Sequence, residues 1–160
     1  MDYKVLDMEK YYRKDIYRHF TMDCKCSVMI TSKIDVSELV AYSKQTGTKF
    51  YINFLYVLTK ALNTRDDYKM RYLYQEDKLV VFDKINTAHY VFHEDTETFT
   101  VVYTEFSEDY QAFYDRCCAD MEKAKQTRSY GLDGSKLNYF DASYICLLYT
   151  SPSPRDRSVS

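Results

Sequence analysis

The amino-acid sequence predicts an α+β sandwich, and three observations support that class. From His89 to Tyr103, two runs with the side-chain period of a strand flank the polar segment Glu94–Glu97, which is typical of a β-hairpin. Phe50–Asn63 is apolar on nearly every side, which indicates a buried helix that a sheet and other helices must cover. Strands and helices mix along the chain without strict alternation, so an α+β arrangement is favoured.

The first third of the chain is expected to contain two helices and one strand. Asp7 is a good N-cap for a helix running from about Met8 to Phe20. Residues 24–33 alternate with the period of a strand. A short helix follows, and Gly47 is the residue expected to stop it.

Two further strands, a long helix and a last strand are predicted beyond the buried helix. Met70–Tyr74 and Lys78–Phe82 form a hairpin that precedes the one described above. Ser107 caps the most regular helix, whose first turn is acidic and whose last turn is basic, as the helix dipole favours. Cys117 lies on the apolar stripe of that helix and is expected to be a structural thiol. A strand over about 137–145 follows.

Length and composition indicate one globular domain. The chain has 160 residues, of which 46% are hydrophobic and 29% are charged. A net charge of -2 gives no electrostatic reason to expect a nucleic acid or an anionic membrane as partner. The N-terminus lacks the apolar core of a signal peptide, and the longest apolar stretch is far shorter than the roughly 20 residues that span a bilayer. We therefore expect a cytoplasmic location, no nucleic acid and no membrane.

The five cysteines are expected to be reduced thiols, because their number is odd and no secretory signal precedes them. Cys24 and Cys26 lie two residues apart and would point to the same face of the predicted strand. A zinc pair is conceivable there, but the sequence contains no second pair at ligand spacing and its histidines are scattered. The prediction is that the chain holds no metal.

The end of the chain differs in composition from the rest. Both prolines, Pro152 and Pro154, lie in the last eleven residues, and the first 145 residues contain none. A flexible tail or a segment foreign to the domain would produce this change. The run that begins at Cys146 also looks like translated adaptor sequence. The expected division is therefore a domain over residues 1–145 and a non-native tail over residues 146–160.

Four ordered stretches resemble the chloramphenicol acetyltransferase family. Val91–Phe99 carries a valine-phenylalanine-histidine, acidic, threonine-glutamate-threonine-phenylalanine signature, and the other stretches are Thr31–Asp35, Lys49–Tyr51 and Leu79–Asp83. The resemblance implies a two-layer sandwich of the CoA-dependent acyltransferase type, with a mixed sheet packed with helices, which would be incomplete in this chain. It also implies acetyl-CoA as co-substrate, chloramphenicol as acceptor and a homotrimer whose sites form between subunits.

The family's catalytic element, a histidine followed by three residues and Asp-Gly, has no match in this sequence. The sole Asp-Gly pair is Asp133-Gly134, and the residue four positions before it is Ser129. His93 belongs to the family's hairpin signature rather than to its base, and a hydrogen-bonded structural histidine is favoured there. Ser143 aligns with the family serine that donates a hydrogen bond to the oxyanion of the tetrahedral intermediate.

Other positions carry over as the antibiotic-binding wall, and these residues are Phe20, Cys24, Cys26, Val28 and Phe99. Phe20 stands where the family usually has tyrosine, so any hydrogen bond from that hydroxyl would be lost. Arg13 corresponds to the arginine that pairs with an aspartate of the catalytic segment. A surface arginine whose stem packs on aromatic rings is the simpler explanation of Arg13.

The expected function of the parent protein is chloramphenicol O-acetyltransferase, an antibiotic-resistance activity, and the chain itself is expected to be inactive without the histidine base. One alternative is a catalytically dead subunit or ligand-binding module of the same fold. The other alternative keeps the chemistry but changes the acceptor, since related acyltransferases use dihydrolipoyl groups or other alcohols.

Overall fold

The computed structural model describes residues 2–24 and 26–143, so the predictions made for residues 146–160 fall outside the described part. The strands are β1 (Tyr3–Val5), β2 (Met70–Leu73), β3 (Lys78–Phe82), β4 (Asn86–His93), β5 (Thr98–Thr104) and β6 (Tyr139–Ala142). The helices are α1 (Lys14–Arg18), α2 (Ser37–Thr46), α3 (Phe50–Asn63) and α4 (Tyr110–Gln126), with a π-helical turn at His19–Asp23 and a 3-10 turn at Asp66–Lys69. This mixture of elements confirms the α+β class.

The strands form two sheets of three. In the first sheet the order is β1-β3-β2 and both pairs are antiparallel. In the second sheet the order is β5-β4-β6, and it is mixed, because β4 is antiparallel to β5 and parallel to β6. Both predicted hairpins are confirmed, and β4 and β5 pair from Thr87 opposite Thr104 to His93 opposite Thr98.

The main core lies between α3, α4 and the second sheet. Its buried members are Ile52, Leu55, Phe106, Phe113 and Cys117. Cys117 is fully buried in this cluster, as predicted for a structural thiol. Burial of each large apolar side chain at such positions contributes roughly 1.5–3 kcal/mol to folding. The core therefore fixes α3 and α4 against one face of the second sheet.

Helix α3 has the predicted bounds but not the predicted burial. One stripe of it is buried, consisting of Ile52, Asn53, Leu55 and Thr59. Val57, on another side of the helix, is 51% exposed. An apolar surface all round a helix predicts burial only where other elements are present to cover each side, and here α4 and the sheet cover one side.

The N-terminal prediction was wrong in two places. The helix expected from Met8 to Phe20 is only the five residues of α1 followed by the π-helical turn, and Asp7 accepts the Glu9 amide in a local turn instead of capping a helix. Residues 26–33 are not a strand, and no strand of the described chain pairs with them. Alternating side chains are a local pattern, whereas a strand also needs a neighbour for its N–H and C=O groups.

Smaller differences concern the ends of elements. Helix α4 starts two residues later than a Ser107 cap would place it, because the Asp109 carboxylate accepts the Ala112 amide at 2.8 Å. Helix α2 ends where predicted, with Gly47 at a φ of 67°. None of the helices within residues 2–24 and 26–143 combines the length and the apolar character needed to cross a bilayer.

Candidate functional site

The second sheet has one covered face and one open face. On the covered face, Val91 and Val102 pack with Ala124 of α4. The opposite face of the hairpin carries aromatic side chains, with Phe92 63% exposed and Phe99 49% exposed. We call the group Tyr90, Phe92, Phe99 and Tyr130 the open sheet face.

Aromatic rings contact one another across the open sheet face. The ring of Phe99 lies 5.3 Å from that of Tyr90 and 6.4 Å from that of Tyr130, both in edge-on geometry. Edge-to-face contacts of this kind stabilise by roughly 0.5–1.5 kcal/mol beyond the area they bury. Phe99 thus presents an oriented apolar surface, which suits an aromatic or apolar ligand.

Ser143 is the residue that follows β6, and it is exposed. The two residues before it are held by tyrosines from different elements. The Tyr90 hydroxyl donates to Asp141 Oδ1 at 2.9 Å, and the Tyr51 hydroxyl donates to the Ala142 carbonyl at 3.2 Å. Burial, together with the hydrogen bond to Asp141, raises the pKa of Tyr90 to about 12, so this hydroxyl keeps its proton at neutral pH. Burial likewise raises the pKa of Tyr51.

The other predicted wall residues lie on the N-terminal segment. Phe20, Cys24, Cys26 and Val28 are all exposed, and Val28 is 82% exposed. The ring of Phe20 packs on His19 at 5.0 Å. Within residues 2–24 and 26–143, neither a hydrogen bond nor a ring contact joins this segment to Phe99. The structure therefore does not bring the two halves of the predicted wall together, and their shared role stays a prediction.

Arg13 is exposed, with its guanidinium carbon 5.0 Å from the centre of the Tyr12 ring. This is the stacking arrangement expected of a surface arginine. Its charge also reaches Asp67, whose carboxyl pKa is lowered first by a hydrogen bond from Arg65 and then by the charges of Arg65 and Arg13. The family pairing of Arg13 with a catalytic-segment aspartate stays a prediction.

His93 is buried and structural, as predicted. Its Nε2 lies 2.9 Å from Thr100 Oγ1, and the Thr100 hydroxyl in turn lies within 3.1 Å of the carbonyls of Thr127 and Ser129. Because the single hydroxyl hydrogen of Thr100 is directed to those carbonyls, Nε2 of His93 must be the protonated nitrogen that donates. His93 therefore joins β4, β5 and the end of α4 through its buried hydrogen bond.

His89 is fully buried between the second sheet and the helices. Its Nε2 lies 4.0 Å from Cys117 Sγ, and the Tyr51 ring lies 5.9 Å away, edge-on. Its Nδ1 has no hydrogen-bond partner among residues 2–24 and 26–143. Burial lowers the pKa of His89 to about 4. The third histidine, His19, is exposed and lies 3.4 Å from the Asp23 carboxylate.

The sequence did not single out Tyr51 or Tyr90 as site residues. Tyr51 lies in a stretch that carries the family resemblance and Tyr90 directly precedes another, but only the tertiary structure shows that they meet the end of β6. Within the described part of the chain, no group of three or more histidine, cysteine or acidic side chains is arranged to hold a metal ion.

Comparison with known proteins finds a family match over most of the chain. A family model described as chloramphenicol acetyltransferase matches residues 1–149. Relatives of that name include those of Clostridium perfringens (30% identical over 71% of this chain), Proteus mirabilis (28% over 94%) and Staphylococcus aureus (29% over 77%). The matched regions cover 52%, 64% and 56% of these three relatives, so the chain spans between half and two thirds of their length.

A solved structure named chloramphenicol acetyltransferase shares the fold, with a TM-score of 0.74 at 16% sequence identity, over 89% of this chain and 69% of that one. At this identity the likeness concerns the fold alone. The family model, however, matches far more than half of the chain. The chain therefore belongs to the chloramphenicol acetyltransferase family.

Proposed function

We propose that the parent protein is a chloramphenicol O-acetyltransferase that transfers acetyl from acetyl-CoA to the primary hydroxyl of the antibiotic and so confers resistance. The observation that carries this proposal is the family match over residues 1–149. In this proposal residues 1–145 are the N-terminal part of a two-layer sandwich of the CoA-dependent acyltransferase type. The active form is a cytoplasmic homotrimer, and residues 146–160 are not part of the domain.

The proposed reaction is direct attack without an acyl-enzyme. A histidine base removes the proton of the primary hydroxyl while its oxygen attacks the thioester carbonyl of acetyl-CoA. The negative charge develops on the carbonyl oxygen, and Ser143 donates a hydrogen bond to it. Collapse of the tetrahedral intermediate breaks the carbon–sulfur bond, and the departing CoA thiolate takes the proton back from the imidazolium.

The antibiotic would lie against Phe99 and the exposed residues of the N-terminal segment, namely Phe20, Cys24, Cys26 and Val28. These side chains are apolar or weakly polar, and the Phe99 ring packs edge-on against the rings of Tyr90 and Tyr130. A rigid aromatic surface binds an aromatic ligand at low cost in side-chain entropy. Arg13 would anchor the catalytic segment through an aspartate, as in the family.

The 160-residue chain alone is proposed to be inactive. Its three histidines are His19, His89 and His93. His93 is held in a buried hydrogen bond and His89 is enclosed in the core, while His19 lies in the exposed turn next to Asp23. His89 pairs with Ala142, the residue before Ser143, but its fully buried ring is not exposed to a bound alcohol.

Two assays test the proposal. The purified 160-residue chain, mixed with acetyl-CoA and chloramphenicol, should release CoA thiol no faster than a protein-free blank. A fusion of residues 1–143 with the remaining C-terminal segment of the Proteus mirabilis relative should acetylate the antibiotic. Activity of the chain alone would contradict the proposed inactivity, and a folded but inactive fusion would contradict the proposed activity.

Ser143 provides the sharper test in the active fusion. Ser143→Ala should lower kcat by about 10²–10³, with KM little changed, because an oxyanion donor acts in the transition state. Ser135→Ala is the matched control, since that serine is exposed and its hydroxyl donates to the nearby Asp133 carboxylate. Equal kcat values for the two variants would contradict the role assigned to Ser143.

A binding module without catalysis is the second candidate, and the exposed apolar segment Val28, Met29 and Ile30 favours it, because these side chains are 82–94% exposed. Surfaces of this kind mark interaction sites or cause aggregation. Co-expression with an intact relative distinguishes the outcomes: mixed trimers would support a subunit role, and insoluble protein would argue against it. If the fusion acetylates another alcohol in preference to chloramphenicol, that alcohol is the acceptor instead.

A further inference from the structure

The end of β6 is held from both faces of the second sheet. From the covered face, Tyr51 of α3 donates its hydroxyl hydrogen to the Ala142 carbonyl at 3.2 Å. From the open face, Tyr90 of β4 donates to Asp141 Oδ1 at 2.9 Å. Two tyrosines from two different elements therefore constrain the two residues that precede Ser143.

The bond from Tyr51 acts on the peptide unit that leads into Ser143. The Ala142 carbonyl and the Ser143 N–H belong to one planar group, so holding the carbonyl oxygen also sets the direction in which the Ser143 backbone leaves the strand. Ala142 lies opposite His89 in the parallel pair, and it packs beside Tyr51 at the edge of the core cluster. The Tyr51 ring lies edge-on to His89, with centroids 5.9 Å apart.

We propose that Tyr51 and Tyr90 are positioning residues for Ser143, which fix the end of β6 so that the serine hydroxyl is directed at the oxyanion. This inference rests on the proposed function. Tyr51 acts on the backbone and Tyr90 on the neighbouring side chain, so neither needs to contact a substrate. A displacement of about 1 Å at a catalytic group can cost about 10²-fold in rate, which gives such constraints a catalytic consequence.

A purely structural role for Tyr51 predicts different results, and α3 contains a matched residue that separates the two explanations. Tyr56 also donates its hydroxyl hydrogen to a backbone carbonyl, that of Glu108, at 2.7 Å. Its bond joins α3 to the start of α4 and is remote in sequence from β6. Tyr51→Phe and Tyr56→Phe therefore each remove one tyrosine–carbonyl hydrogen bond from the same helix.

Amide hydrogen exchange on the 160-residue chain tests the positioning directly. Tyr51→Phe should increase exchange at Ala142 and Ser143 by about two- to tenfold, the range that one net hydrogen bond contributes. Tyr56→Phe should leave exchange there unchanged while increasing it near Glu108. Unchanged exchange at Ser143 in Tyr51→Phe would overturn the proposal.

Kinetic measurements on the active fusion test whether the positioning affects catalysis. Tyr51→Phe should lower kcat by about tenfold with KM nearly unchanged, Tyr90→Phe should lower it less, and Tyr56→Phe should not lower it. In a Ser143→Ala background, Tyr51→Phe should have no further effect on kcat, because its effect acts through Ser143. Additive losses would overturn the positioning role.

The same measurements separate failure of this inference from failure of the proposed function. If Ser143→Ala lowers kcat and Tyr51→Phe does not, the positioning inference alone is refuted. If Ser143→Ala leaves kcat unchanged, the oxyanion role is refuted, and hydrogen exchange then decides whether Tyr51 orders this peptide unit.

Discussion

Protonation of His89 is expected to destabilise the fold between pH 6.5 and pH 4. The side chain is fully buried, and burial lowers its pKa from the usual 6.5 to about 4. The groups that face it offer no negative charge, because burial raises the pKa of Cys117 to about 12 and that of Tyr51 also rises. An imidazolium at this position would therefore have no counter-ion in the described part of the chain.

The sign and size of the effect follow from linkage. In the unfolded state His89 binds a proton as the pH falls below 6.5, whereas in the folded state it does so only near pH 4. The stabilisation is therefore fully present above pH 6.5 and is lost as the pH falls through about 4. A difference of this size corresponds to about 3 kcal/mol, a large fraction of the roughly 5–15 kcal/mol stability of a small domain.

Urea unfolding of the 160-residue chain at a series of pH values measures this loss. Comparison with His89→Gln removes the contribution of the carboxylates, which titrate in both proteins. The wild type should lose about 3 kcal/mol more than His89→Gln between pH 6.5 and pH 4. His19→Gln, at an exposed position, should follow the wild type. Parallel profiles for wild type and His89→Gln would refute the reasoning.

Two further stability predictions concern the backbone. Gly131→Ala should destabilise by about 2 kcal/mol, because the glycine has a φ of 85° and an added Cβ would lie 2.6 Å from the Val101 carbonyl oxygen. Gly134→Ala, which meets nothing within 4 Å, is its control, and an equal shift in urea midpoint for both would contradict this explanation. Asp109→Ala should lower the free energy of unfolding by about 1 kcal/mol through loss of the α4 cap, whereas Asp109→Asn should keep most of this stabilisation. Equal decreases in thermal stability for the two variants would contradict the capping role.

The local sequence pattern was sufficient to predict an element where the element's own residues specify it. Helix α3 has the predicted bounds, and the hairpin of β4 and β5 has the predicted turn, although β4 begins three residues earlier, at Asn86, and β5 ends one residue later, at Thr104. Gly47 ends α2 because a residue with positive φ stops a helix and glycine adopts it at low cost. The Ser107 prediction was wrong by two residues because an acidic residue nearby makes an equally good cap.

The local sequence pattern was insufficient to predict an element that depends on pairing with a neighbouring strand. Residues 26–33 have the alternation of a strand but pair with no described strand, so their apolar side chains are exposed. The predicted antibiotic wall depends on this segment, and within residues 2–24 and 26–143 neither a hydrogen bond nor a ring contact joins it to Phe99. A pairing partner is a property of the assembled fold, and the period of a sequence carries no information about it.

By itself, the sequence predicted the α+β class and the buried Cys117 from residue spacing, and it predicted the structural role of His93 through the family resemblance. It also contained the four stretches through which the family was recognised. Only the tertiary structure decided which side of α3 is covered, that His89 is fully buried, and that Tyr51 and Tyr90 meet the residues before Ser143. These facts depend on contacts between residues about 50 to 90 positions apart, which the packing of α3 and the second sheet creates.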